Sequence, residues 1–120
     1  MMTDYKLGVV ESRFADIIWE NEPLSTNELI RLCEEKLGWK RTTTYTVLKK
    51  LSGHGIFQMK EKQVTSLISR EEYYAGRSEQ FVEETFKGSL PAFIAAFTKR
   101  RSLTEKEIAE IREMIDAAER

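Results

Sequence analysis

The stretch WKRTTTYTVLKKL, Trp39 to Leu51, decides how this chain is read. It holds four threonines, a tyrosine and a valine, all mediocre helix formers. Lys40, Arg41, Lys49 and Lys50 bracket them, with no acid between. Wound at about 100° per residue, Thr44, Val47, Leu48 and Leu51 gather on one side. Thr42, Thr46 and Lys49 lie opposite, with Tyr45 on one flank and Thr43 and Lys50 on the other. One face can enter a core; the other is hydroxyls and cations.

Such an outer face suits the major groove of duplex DNA. Short hydroxyls let a helix backbone come close, bond phosphates or base edges, and touch thymine methyls. Arg41, near the helix start, can read guanine or clamp a phosphate, and helix N-terminal N–H groups also favour phosphate. An ordinary solvated face would contain acids as well as bases, and a better helix former than threonine.

What precedes the stretch supports this reading. Ser25-Thr26-Asn27-Glu28 has the S-x-x-E form of a capping box. Leu29, Ile30, Leu32, Cys33 and Leu37 then supply an apolar face, and Gly38 a stop. A helix followed by a tight link at Gly38-Trp39-Lys40 and a second helix over 41–53 is a helix-turn-helix. An earlier helix is expected around Leu7 to Trp19, with Gly8 at its start, Val10, Phe14, Ile17 and Ile18 on its apolar side, and Asn21-Glu22-Pro23 ending it. After Gly53-His54-Gly55, residues Ile56 to Met59 and Val64 to Ile68 read as a hairpin around Lys60 to Gln63. Lys60 and Lys62 near its tip can touch phosphate beside the groove, which is the winged variant of the motif.

The rest is helical. Ser69-Arg70-Glu71-Glu72 opens a long helix carrying Tyr73, Tyr74, Phe81, Val82 and Phe86 up to Gly88. Ser89-Leu90-Pro91 opens a short one with Phe93, Ile94 and Phe97, and Thr104-Glu105-Lys106-Glu107 a last one with Ile108, Ile111, Met114 and Ile115. The fold class is therefore mainly α with a small β wing: a winged helix-turn-helix domain over 1–68 and a helical dimerisation domain over 69–120. Phe81, Phe86, Leu90, Phe93, Ile94, Phe97, Ile108, Ile111 and Ile115 are many large apolar groups for a small lobe, which alone buries too little surface. A two-fold partner would cover them and match a palindromic site.

Composition narrows the alternatives. The chain has 120 residues and a net charge of −1, but the charge is uneven. Residues 38–62 hold six bases, Lys40, Arg41, Lys49, Lys50, Lys60 and Lys62, against Glu61 alone. Local potential decides where a polyanion docks. No apolar run approaches the ~20 residues of a membrane span, and MMTDYKLG lacks the pattern of a signal peptide, so a cytoplasmic protein with no membrane partner is expected. Cys33 and His54, each the sole residue of its type, make no metal site; Cys33 reads as buried and His54 as an exposed turn residue. No phosphate loop, nucleophile elbow or carboxylate cluster appears, so neither enzyme nor cofactor is expected.

Taken in order, IIWE, STNELI, W-x-x-x-T-x-x-T-x-L/V-x-x-L, GIF, SREEY, FKGSL and LTEKEI resemble the penicillinase-repressor family of bacterial winged-helix regulators, the BlaI/MecI group, along nearly the whole chain. The resemblance implies a homodimer on an inverted-repeat operator with TACA/TGTA half-sites, blocking transcription. It places Arg41, Thr42, Thr43, Thr46 and Lys49 on the recognition helix and dimerisation from about Ser69 onward. Resistance repressors of the family are cut by a regulatory protease at an Asn-Phe bond; the matching pair here is Ala96-Phe97. No cysteine follows Cys33, so the C-terminal cluster of the copper-responsive branch is absent. The rival reading is a winged-helix protein-interaction module without specific DNA binding, since fold alone does not fix function.

Overall fold

A computed structural model describes residues 3–119; Met1 and Met2 of the N-terminal stretch, and Arg120, lie outside them. The protein is mainly helical with one small antiparallel sheet. The order is α1 (Val9–Asn21), β1 (Leu24–Ser25), α2 (Thr26–Leu37), α3 (Arg41–Gly53), β2 (Phe57–Lys60), β3 (Gln63–Ser66), α4 (Arg70–Phe86), α5 (Leu90–Arg100) and α6 (Glu105–Ala118). Two compact units result, one up to Ser78 and one from Glu79 onward. The expected boundary after residue 68 falls just before α4, whereas the units divide further along that helix.

The first unit is a winged helix-turn-helix. Ser25 caps α2 by accepting the Glu28 N–H at 3.1 Å, but the reciprocal bond from Glu28 is not made. Gly38 ends α2 at φ 67°, ψ 25°, a left-handed conformation open to glycine without a Cβ penalty. Its N–H donates to the Glu34 carbonyl and that of Trp39 to Cys33, closing the turn into α3. Helix α3 then occupies the range its sequence predicts. Thr44, Leu48 and Leu51 are buried, and Thr42, Thr43, Thr46, Lys49 and Lys50 are exposed.

The core gathers Phe14 and Ile18 of α1, Leu29 and Cys33 of α2, Leu48 and Leu51 of α3, and Ile56, Phe57 and Val64 of the wing. Val10, expected on the apolar side of α1, is instead about half exposed, beside the still more exposed Val9 in the first turn, and lies outside the core cluster. Trp39 stacks on Phe14 with ring centroids 5.4 Å apart. Burial also pushes the Cys33 thiol up to about 11, despite a contact with Thr44 that pulls the other way.

The sheet differs from the expected simple hairpin. Strand order is β1-β3-β2, with Leu24 opposite Val64 and Phe57 opposite Ser66. The strands stop at Lys60 and resume at Gln63, so a two-residue turn replaces the longer hinge. Glu61 (φ 53°) and Lys62 (φ 62°) both take positive φ, the pattern of a type I′ hairpin turn without Asn-Gly. The Lys62 carbonyl accepts the Thr26 N–H at 3.0 Å, tying the wing tip to the start of α2. The Glu22 carboxylate accepts both the N–H and the hydroxyl of Ser66 at 2.8 Å.

The beginning of α4 belongs to this same core. Ser69 and Glu72 form the expected capping box. Tyr73 is buried; its hydroxyl donates to the Tyr5 carbonyl and accepts the Leu7 N–H at 2.9 Å. Trp19 packs beside Tyr73 and donates its indole N–H to the Ile68 carbonyl at 3.0 Å. Tyr73→Phe strands one backbone donor and one acceptor in a shielded place. The expected cost is roughly 1–3 kcal/mol in chemical denaturation, with the transition slope unchanged. A variant as stable as the parent would remove Tyr73 as the tie between α4 and the N-terminal segment.

The second unit holds the end of α4 with α5 and α6. Gly88 (φ 79°) breaks the chain between α4 and α5, and Ser89 caps α5 by accepting the Ala92 N–H. Phe93 is its hub, with ring centroids 6.0 Å from Phe81, 5.6 Å from Phe86 and 6.3 Å from Phe97. Thr104 and Glu107 form a complete capping box for α6. Arg101 donates twice to the Glu107 carboxylate, at 2.9 and 2.7 Å. Its guanidinium and the Thr104 N–H hold that carboxyl down to about 2.

Candidate nucleic-acid interface

The outer face of α3 follows from its inner one. Burying Thr44, Leu48 and Leu51 turns Thr42, Thr46 and Lys49 outward. Thr46 donates its hydroxyl to the Thr42 carbonyl at 2.9 Å, and its oxygen lone pairs stay available to a donor. Lys40 occupies the N-cap without a side-chain cap, and the first turn carries no acid. The orphan N–H groups of that turn therefore add to the positive character of Lys40 and Arg41. The Arg41 guanidinium lies 5.6 Å from the centre of the Tyr45 ring, a cation–π contact that narrows its conformations.

The wing stands next to this face. Tyr45, Leu48, Lys49 and Ser52 of α3 and Met59 of β2 line a groove of about 410 Å³. Met59 is half exposed although apolar, and nothing in the sequence singled it out beyond strand periodicity. Lys60 ends β2 and Lys62 sits in the turn, both exposed. Glu61 stands between them, which reduces the positive potential at the tip.

Lys50 departs from expectation. Its ammonium is 3.0 Å from the Glu11 carboxylate of α1, and 5.6 Å from the centre of the Tyr5 ring. Tyr5 and Glu11 together raise its pKa above the ordinary lysine value. Among the described residues, Lys40, Arg41, Lys49, Lys60 and Lys62 have no carboxylate within 4.0 Å, so Lys50 alone of the expected set is neutralised. The pairing joins residues distant in sequence, which helical periodicity cannot report.

The apolar positions of the second unit divide into two groups. Phe86, Phe93, Ile108 and Ile111 are half-buried within it, while Phe81, Leu90, Ile94, Phe97 and Ile115 remain exposed. Phe93, Ile94, Phe97, Leu103, Ile111 and Met114 wall a groove of about 310 Å³, with Arg101 and Glu107 beside it. Ala96 and Phe97 lie inside α5, so a protease would have to open the helix to reach the bond between them. Among the described residues, no three His, Cys, Asp or Glu side chains are placed to hold a metal. Nor, among the described residues, is any helix long and apolar enough to cross a membrane.

Comparison with known proteins agrees with this architecture. The penicillinase repressor family profile matches residues 7–117. A methicillin resistance regulatory protein MecI of Staphylococcus aureus is 24% identical over 116 residues, covering 93% of this chain and 94% of that protein. MecI of Mammaliicoccus sciuri is 23% identical over 116 residues, with the same coverage of 93% and 94%. The penicillinase repressor of Bacillus licheniformis is 26% identical over 115 residues, covering 92% and 90%. Winged helix-turn-helix, helical second unit and matched span together show that the chain belongs to the penicillinase repressor family.

Proposed function

We propose that the protein is a transcriptional repressor that binds an inverted-repeat DNA operator as a homodimer and has no catalytic activity. The observation that carries this is the outward face of α3: threonine hydroxyls and unpaired cations, with no acid, beside a β wing. Arg41, Thr42, Thr43, Tyr45, Thr46 and Lys49 form the reading surface, and Lys40, Lys60 and Lys62 hold phosphates on either side. The relatives' names, penicillinase repressor and methicillin resistance regulatory protein, support the regulatory role. The working compartment is the cytoplasm, where the DNA is.

Dimerisation is the second half of the proposal. No residue from Glu79 onward is fully buried among those described, so the second unit has no closed core of its own. Its exposed Phe81, Leu90, Ile94, Phe97 and Ile115 gain most by packing on an identical surface. Two α3 helices related by a two-fold axis then address two half-sites.

Selecting duplexes from a random pool and titrating the winner by fluorescence anisotropy tests the reading. An inverted repeat is expected, with affinity falling roughly a thousandfold or more between about 50 and 200 mM salt. Failure to retain any duplex at low salt would leave the protein-interaction module as the better account.

A further inference from the structure

We propose that Glu11 attenuates the sequence-independent DNA affinity of this protein by neutralising Lys50, the last cation of α3. The inference rests on the DNA-binding reading above and adds a control on its strength. Its basis is a carboxylate that is fixed in place by groups other than the lysine it neutralises.

Glu11 accepts from the Gly8 N–H at 3.0 Å, which caps α1. The Tyr5 hydroxyl lies 2.8 and 3.0 Å from its two oxygens. Tyr5 is itself anchored: its carbonyl accepts from Tyr73, and its ring stacks on His54 with centroids 3.9 Å apart. The acid would therefore stay where it is if Lys50 swung away. Burial works against its charge, yet the Gly8 N–H, Lys50 and Tyr5 outweigh that, and its pKa lies below the usual carboxylate value. The Glu11 side chain is only 18% exposed and that of Lys50 51%, so water screens this pair less than a fully solvated one.

The consequence concerns counterions. A cation contributes to sequence-independent binding by releasing ions condensed on phosphate. A lysine already matched by a carboxylate must first give up that partner, so it adds little. Lys49, one residue earlier and without such a partner, has no such cost. Glu11 thus divides two adjacent lysines into one that contributes to DNA binding and one held back.

Glu11→Gln tests the idea with the fold preserved, because glutamine can still accept the Gly8 N–H at the same capping position. On a duplex of scrambled sequence, the slope of log affinity against log salt should steepen by roughly one for each chain. Affinity at about 50 mM salt should rise at least roughly tenfold. The double variant Glu11→Gln, Lys50→Gln should return to the parental slope. Glu113→Gln, an equal change of net charge in the second unit, should leave the slope as it was. An unchanged slope in Glu11→Gln, with parental unfolding behaviour, overturns the proposal. So does a slope that stays steep in the double variant, or one that steepens equally in Glu113→Gln. If the parent itself binds no duplex at low salt, the DNA reading has failed and not merely this addition to it.

Discussion

Lys49→Glu is expected to weaken duplex binding at least about a hundredfold at moderate salt while the protein stays folded and dimeric. Lys49 projects from the outward face of α3 between Thr46 and the wing, and lines the groove closed on its other side by Met59. A carboxylate there removes one ion-releasing contact and sets a negative charge against phosphate, and in a dimer it does so twice. The substitution touches no core residue, so unfolding should move little; the slight loss comes from an acid near the negative end of a helix. Anisotropy on the selected operator reads the binding, and sedimentation the assembly. Undiminished operator affinity would mean that another surface meets the DNA.

The second large effect concerns assembly. Ile94→Asp is expected to convert the proposed dimer to monomers, raising its dissociation constant at least about a hundredfold, because each copy would bury an unpaired carboxylate in the proposed interface. Ile94 is the informative position because of where the unit leaves it. Phe93 beside it is the hub of the aromatic cluster, so an acid there would damage the unit itself. Ile94 is 38% exposed on the wall of the α5–α6 groove and can change with far less internal loss. Ile115→Asp, on α6, provides a second trial at a side chain that is 54% exposed. Circular dichroism should report retained helix in both, and operator affinity should fall with the dimer. Dimers that persist at micromolar concentration in both variants would place the interface elsewhere.

Local signals were well written in the chain. Helix α3 matched its expected range because Gly38 and the residues after Gly53 punctuate it at both ends, and its buried face followed from a simple angular projection. The boxes at Ser69 and Thr104 appeared as read, since such caps depend on residues three apart. The cap at Ser25 was half right: the serine accepts, the glutamate does not return. What escaped is what depends on distant partners or on unusual backbone. Strand β1 is only two residues long and exists because β3 lies next to it. Glu61 and Lys62 carry no glycine or asparagine to announce their turn. Tyr73 looked like the start of a separate lobe, yet its hydroxyl secures the N-terminal segment. The pairing of Lys50 with Glu11 is of the same kind, and it alters the composition of the candidate site.

The shielded sulfur of Cys33 has a practical corollary. Burial alone closes it to alkylation, since it denies solvent access and holds the thiol near 11, well away from thiolate. A maleimide can react only during excursions that lift α2 from its neighbours. Each molecule thus carries a native stopwatch for breathing of its first unit, and duplex bound there as proposed would slow its ticking.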